Sequence, residues 1–390
     1  MDPLNSGSDD WYGWLQASLT ALDDASLRRT RVPIEPVDGA HVRVDGMPVT
    51  LFSGNDYLGL SAHPVVREAV ADEALRHGFG PRGSALICGY TDAHVLLEEE
   101  LASLKNTESA VVTPTGFAAN LSLLQALGGA DVAVFSDALN HASIVDGCRL
   151  AGRSGALVKV YRHGSVSHLE ELISGCSRPR KIIITDSIFS MDGDLAPLVE
   201  LVDLKRRYKA MLIVDDAHGT LVHGATGAGV AEQLGVSGAV DLHVGTLSKA
   251  FGALGGFVAG SRSWCDWLVN RGRGQIYSTA LPLPVVAGAR AALKVASSDS
   301  SYRERLWEHI ARVSVALGVP CEGPIISWVV GNPDAALSAS RALLRAGLHA
   351  TAIRPPTVPK GTSRLRLTLS AAHTSHDIDN LIDALSGLEV

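Results

Sequence analysis

Cysteine is scarce in this 390-residue chain: Cys88, Cys148, Cys176, Cys265 and Cys321, odd in number, scattered, and without a C-x-x-C pair. That spacing fits neither a disulfide framework nor a zinc site, so a reducing compartment and no bound metal are expected. Positive charge is also short. Lys and Arg total 34 against 41 Asp and Glu, for a net charge of −7. A nucleic-acid-binding surface is therefore not expected, and an anionic ligand must be held by a local site rather than by the bulk field. No apolar run reaches the length of a membrane span, so no membrane partner is expected. The opening "MDPLNSGSDDWYGW" has no basic segment followed by an apolar stretch, and so lacks the pattern of a secretory signal. The closing "GLEV" is not the peroxisomal tripeptide. A cytoplasmic protein is the expectation.

What is present is an ordinary globular composition, 46% hydrophobic and 19% charged, long enough for two or three domains. Residues 1–50 read as a helix, "GWLQASLTALDDASLRR", and a hairpin-like "HVRVDGMPVTLF" that turns at "VDGM". Over 51–282, helix-like segments such as "HPVVREAVADEALRHG" alternate with short apolar runs: "SAVVTP", "VAVFSD", "ALVKVY", "KIIITDS", "MLIVDD" and "GGFVAG". Runs that are apolar at nearly every position suit strands covered on both faces. Their alternation with helices predicts an α/β fold built on a largely parallel sheet with crossover helices. Over 283–390 the pattern changes to long helices and then to the short strands "IISWVVG" and "RLRLTLS", which predicts a smaller α+β domain.

Ligands of open α/β sheets collect beyond the carboxyl ends of the strands, so the residues that follow each apolar run carry the interest. "SAVVTP" leads to "TGFAAN", where Gly116 and Phe117 open a helix whose free amides and positive dipole end suit a phosphate. "VAVFSDALN" leads to His141, and "KIIITDS" to Ser190. "MLIVD" closes on Asp215, with His218 three residues on. "DLHVG" leads to Thr246 and then, within "VGTLSKAFGALGGF", to Lys249 among small and apolar neighbours. Singly, each has a bland explanation: a structural histidine, a capping Asp or Thr, a solvated loop lysine. Gathered at one edge, they match what pyridoxal 5′-phosphate (PLP) requires. That cofactor needs a lysine for its Schiff base. It needs a carboxylate near its ring nitrogen, which favours the charged pyridinium that acts as an electron sink. It also needs donors on its phosphate and a partner for its phenolic oxygen. The interval between Asp215 and Lys249 leaves room for one helix or loop and one strand.

Longer runs carry a resemblance. "NDYLGLS", "GSALICGYTDAH", "LEEELA", "TGFAAN", "NHAS", "FSMDGDLAPL", "VDDAHG", "TLSKAFG" and "AIRPPTVPKGTSRLRLTLSAAH" occur in that order. From about residue 25 to 385 the chain resembles the α-oxoamine synthases, fold-type-I PLP-dependent transferases that condense an amino acid with an acyl-CoA and release CO2. The resemblance implies roles residue by residue. Lys249 forms the Schiff base, Asp215 pairs with the ring nitrogen and His141 stacks on the ring face. Ser190 and His218 contact the phenolic oxygen, while the Gly116 and Phe117 amides and the Thr246 hydroxyl hold the phosphate. Thr279, in "YSTALP", reaches the phosphate of a neighbouring subunit, which implies a homodimer with shared sites. Arg354 binds the substrate carboxylate, and Arg28, Asn55 and Thr357 line the substrate pocket. "AIRPPTVP" points to the branch that joins L-alanine to pimeloyl-CoA or another pimeloyl thioester. The alternatives are relatives that use glycine or serine and, further off, an aminotransferase on the same fold. Two departures touch the pocket shape without removing a catalytic group. Pro81 and Arg82 stand in a stretch that is often richer in Gly and Ser, and "TLS" precedes Lys249 where some relatives have Gly.

Overall fold

The computed structural model describes residues 8–388. Seven strands form its central sheet: β1 (Ser109–Thr113), β2 (Val132–Asp137), β3 (Leu157–Tyr161), β4 (Arg180–Asp186), β5 (Met211–Asp215), β6 (Leu242–Thr246) and β7 (Gly256–Gly260). Their order is β1-β7-β6-β5-β4-β2-β3. The pairs from β6 through β3 are parallel, whereas β7 runs antiparallel between β1 and β6. The reversal has a simple cause. Only nine residues separate β6 from β7, and a parallel return needs a dozen or more.

Alternation along the strands divides the core between two faces. Ala133, Phe135, Ile183, Leu212 and Val214 pack into one buried cluster. Their neighbours Val132, Val134, Ile182, Ile184 and Ile213 pack into the other. Helices α1 (Gly116–Leu127) and α2 (Ala142–Arg153) follow β1 and β2, so both begin at the edge where those strands end. At that edge glycine is a requirement. A Cβ on Gly256 would lie 2.4 Å from the amide nitrogen of Gly116, so only glycine lets the start of α1 rest on the sheet.

A smaller antiparallel sheet consists of β8 (Ile325–Gly331), β9 (Thr351–Ile353) and β10 (Ser363–Thr368), in the order β8-β10-β9. Near the N-terminus, His41–Val44 pairs with Met47–Leu51 across Asp45 and Gly46, whose φ values are 51° and 78°. That is the left-handed geometry a two-residue hairpin turn demands. Residues Leu348–His349 extend this hairpin in parallel, joining the two ends of the chain. Among the described residues no helix is long and apolar enough to cross a membrane.

One buried ion pair braces the loop after β5. Lys105 ends the helix Asp92–Lys105, and its Nζ lies 2.7 Å from Asp216 Oδ2, with side-chain exposures of 0% and 2%. The same ammonium donates to Thr220 Oγ1 at 2.8 Å and to the Ala228 carbonyl at 2.6 Å, and Ser187 Oγ donates to Asp216 Oδ1 at 2.6 Å. Burial acts to raise the Asp216 pKa, but Lys105 and Ser187 outweigh it and hold the carboxyl below its ordinary 3.8. The pair therefore stabilises the fold above that ordinary value, and its contribution fades as pH falls through the depressed one. Lys105→Met leaves a buried carboxylate without a counter-charge and is expected to cost about 3–5 kcal/mol in denaturant unfolding. The double variant Lys105→Met/Asp216→Asn is expected to recover part of that loss.

Candidate active site

Asp215 closes β5 with its side chain buried. Its Oδ2 accepts from Asn120 Nδ2 at 2.6 Å and its Oδ1 from the Ala217 amide at 3.0 Å. Asn120 follows Gly116 by one turn of α1. Lys249, three residues past β6, is half-buried, and its Nζ lies 2.9 Å from His218 Nε2. His218 Nδ1 lies 2.6 Å from the hydroxyl of Tyr57, which is fully buried. The Tyr57 hydroxyl is also 3.2 Å from Asn55 Oδ1, which accepts from Arg366 Nη2 at 3.3 Å.

These contacts couple the charge of the lysine to the tautomer of the histidine. Burial pushes the Lys249 amine down to about 8, Asp215 and Asp186 pull it back up, and Arg366 adds to the depression. Burial, and then the charges of Lys249 and Arg366, hold His218 well below its ordinary 6.5, so its ring is neutral near pH 7. A neutral imidazole carries one N–H. With the proton on Nε2, His218 donates to a neutral Lys249 and accepts from Tyr57. With the proton on Nδ1, it donates to Tyr57, Tyr57 donates to Asn55, and Nε2 accepts from an ammonium.

The start of α1 forms the anion seat. Thr115 Oγ1 caps the Ala118 amide at 3.0 Å, and the amides of Gly116 and Phe117 are left without an acceptor among the described residues. Thr246 Oγ1 stands beside them, donating to the Gly255 carbonyl at 2.9 Å and lying 2.8 Å from Ser248 Oγ. His141 caps the start of α2, and its Nδ1 is 2.7 Å from Ser143 Oγ. The His141 amide donates to Asp186 Oδ2 at 2.7 Å. Burial lowers the His141 pKa, Lys249 adds to this and Asp215 opposes it, which leaves a neutral, stackable ring. Phe117 meets that ring edge-on at 6.2 Å.

A cavity of about 220 Å³ is lined by Gly116, His141, Ser190, Asp215, His218 and Lys249. The donor set fits PLP. Both hydrogen-bond partners of Asp215 are uncharged, so a buried carboxylate is available to a protonated ring nitrogen, and helix amides with a hydroxyl are available to a phosphate.

Other candidates stand apart. Thr279 is exposed, bridges Ser84 and lines a separate narrow cleft with Tyr90 and Glu98. Arg28, Arg354 and Thr357 gather around a second cavity of about 560 Å³. There Arg354 donates to the carbonyls of Ser26 and Arg28, Arg28 pairs with Asp23 at 2.7 Å, and Arg29 Nη2 donates to Thr357 Oγ1 at 3.4 Å. Asn55 lies outside that cavity, in contact with Tyr57 and Arg366. Sequence reading passed over Asn120, Tyr57, Asp186 and Arg366. Asn120 had a legible signal, one helical turn past a candidate phosphate glycine. Arg366 had none, because an inward arginine in "RLRLTLS" looks like an outward one.

The sheet and cavity together define a fold-type-I PLP-dependent transferase. Residues 48–385 match the family model for class I and II aminotransferases. The chain is 52% identical over 351 residues to 8-amino-7-oxononanoate synthase of Arabidopsis thaliana, a match covering 86% of this chain and 74% of that protein. It is 47% identical over 388 residues to the protein of the same name from Anaeromyxobacter dehalogenans strain 2CP-1, covering 98% and 96%. Among solved structures it is similar to serine palmitoyltransferase from S. paucimobilis with a bound PLP–myriocin aldimine, with TM-score 0.89, 30% identity and coverage of 98% and 97%. It is also similar to 8-amino-7-oxononanoate synthase from Francisella tularensis, with TM-score 0.73, 28% identity and coverage of 87% and 96%. The chain belongs to the class I and II aminotransferase family, in its 8-amino-7-oxononanoate synthase branch, and PLP is its cofactor.

Lys249 attacks an aldehyde only as the neutral amine. With the amine at about 8, the rate at which the apoprotein captures PLP is expected to rise with pH and level off above that value. An ordinary lysine would give a rise that continues past pH 10, near the usual lysine value of about 10.4. Stopped-flow absorbance of the cofactor reads the break point.

Proposed function

We propose that the protein condenses L-alanine with pimeloyl-CoA, or another pimeloyl thioester, to give 8-amino-7-oxononanoate, free thiol and CO2 in biotin synthesis. The observation that carries the reading is the cavity where Asp215, His218 and Lys249 meet below the start of α1. Relatives 47% and 52% identical, named for that product, support the choice of substrates.

When bound, PLP supplies an electron-withdrawing ring conjugated to the amino acid. Asp215 would hold positive charge at the ring nitrogen, and the Gly116 and Phe117 amides with the Thr246 hydroxyl would hold the phosphate. His141 would cover a ring face, while Ser190 and His218 would contact the phenolic oxygen. Lys249, with its amine near 8, takes the Cα proton of alanine as a general base. Arg354 offers a planar fork to the alanine carboxylate. Arg28 and Thr357 line the substrate pocket, and Asn55 joins it through the Tyr57–His218 chain. A carbon–carbon bond forms between alanine Cα and the thioester carbonyl as the thiol departs, the carboxyl group leaves as CO2, and a proton returns to Cα.

The same reading includes a homodimer. Phe79, Ile87 and Tyr277 are 73%, 81% and 70% exposed near the Ser84–Thr279 bridge. Apolar exposure of that size is what a partner surface leaves in an isolated chain. A second copy covers this face and places Thr279 at its neighbour's phosphate. Residues 51–282 carry the cofactor set, 283–390 supply Arg354 and Thr357, and 1–50 supply Arg28. A cytoplasmic setting accompanies this reading, supported by five unbridged cysteines.

Glycine, alanine and serine, each offered with acetyl-, succinyl-, pimeloyl- and palmitoyl-CoA and read as CoA release, test the proposal. Alanine with pimeloyl-CoA is expected to lead, and a lead for serine with palmitoyl-CoA overturns it. Asp215→Asn is expected to lower kcat on the order of a thousandfold, the scale at which a preorganised charge acts in a buried site. Lys249→Ala is expected to lose turnover altogether.

A further inference from the structure

The loop that carries Ser190 is a short hairpin. Ile188 bridges Leu195, the Phe189 amide donates to the Asp194 carbonyl at 3.0 Å, and the Gly193 amide donates to the Phe189 carbonyl at 2.8 Å. Ser190 lies near its tip and lines the cofactor cavity, and Asp194 lies at its base. Arginines hold the tip from one side. Arg366 Nε donates to the Ser190 carbonyl at 2.6 Å and Arg364 Nη1 to the Met191 carbonyl at 3.1 Å. On the base stands a histidine that no step of the reaction uses. His163, two residues past β3, places Nδ1 2.9 Å from Asp137 Oδ1 and Nε2 2.8 Å from Asp194 Oδ2.

We propose that His163 is a positioning residue for the cofactor: an imidazolium between two carboxylates that pins the 188–195 hairpin and sets Ser190 against the cavity. The inference rests on the reading of Ser190 as a cofactor contact. Asp137, the last residue of β2, is a fixed anchor. Its side chain is 1% exposed, Oδ1 also accepts from the Leu139 amide at 2.8 Å, and Oδ2 accepts from the Gly164 amide at 2.9 Å. Asp194 is the hairpin's end of the bridge, with its side chain 41% exposed. A ring that bonds carboxylates through both nitrogens must carry both protons. Accordingly the bonds to Asp137 and Asp194 raise its pKa to about 10, against the opposing effect of burial. Phe189 packs its ring at right angles to the imidazolium at 4.3 Å, so the hairpin is gripped by shape as well as by charge. Gly193, with φ 81°, lets the turn close onto β8, where a Cβ would lie 2.5 Å from the Ile325 carbonyl oxygen. The hairpin is thus held on three sides, and His163 adds a charged tie from its base to the end of β2.

His163→Gln keeps the size of the side chain but removes the charge and cannot donate to both carboxylates. The dissociation constant of PLP, measured by equilibrium dialysis against the apoprotein, is expected to rise about tenfold, the scale of one lost charge-assisted bond. Amide hydrogen exchange over 187–196 is expected to speed up while exchange in β5 stays unchanged. Asp194→Asn, which leaves His163 and its anchor in place, is expected to shift the constant in the same direction. In a Ser190→Ala background the His163→Gln substitution is expected to change PLP binding less than twofold. A merely structural role predicts the same loss in both backgrounds, and that result overturns the proposal, as does an unchanged constant in His163→Gln. If Ser190→Ala alone leaves PLP binding unaltered, Ser190 is no cofactor contact, and the underlying reading falls together with the inference, a failure distinct from that of the clamp.

Discussion

A carboxylate and an amine are buried at one sheet edge and kept from pairing with each other. Were Asp215 and Lys249 to form an ion pair, each would hold the other in its charged form. The amine would then remain an ammonium, useless as nucleophile or base, and the carboxylate would be unavailable to a ring nitrogen. The fold prevents this by giving each group its own neutral partner. Asn120 and the Ala217 amide occupy the Asp215 oxygens, while His218 faces the amine. Burial can then act on Lys249 with Asp215 near enough to moderate it but not to neutralise it.

The neighbouring aspartate does the opposite work. Successive side chains at a strand end point to opposite faces, so the "DD" of "VDDAHG" sends Asp215 towards the cavity and Asp216 into the ammonium of Lys105. The loop between them and the next helix is moulded around that second carboxylate. A Cβ on Gly219 or Gly229 would lie 2.2 Å or 1.6 Å from an Asp216 oxygen. His218 sits inside this tightly folded stretch, so the ring that faces Lys249 is placed by an ion pair on the far side of the strand.

How much of this was legible depends on where each signal resides. Residues that follow an apolar run, among them Asp215, Thr246 and Lys249, are set by chain position, and the cavity collects them as the strand-end argument expects. The reversal of β7 was written in the nine-residue spacing but is invisible to hydrophobic pattern, because a strand covered on both faces reads alike in either direction. Tyr57, Arg366 and His163 were not legible. Their importance comes from distant segments brought to within hydrogen-bond reach, and an inward polar group in a strand or loop has the same one-dimensional signature as an outward one. Arg354 and Thr279 came only from resemblance, and in the isolated chain they line other cavities.

Asp186 shows how two carboxylates on neighbouring strands take different roles. It ends β4 directly beside Asp215 in the sheet register. Burial, and then the charge of Asp215, push its pKa well above the ordinary carboxylate value. Two anions side by side in a buried edge are unfavourable, which favours the protonated form of Asp186. Asp186 has the His141 amide at one oxygen, whereas Asp215 has Asn120 and Ala217 at both. In either form Asp186 accepts the His141 amide and so keeps that ring at the start of α2.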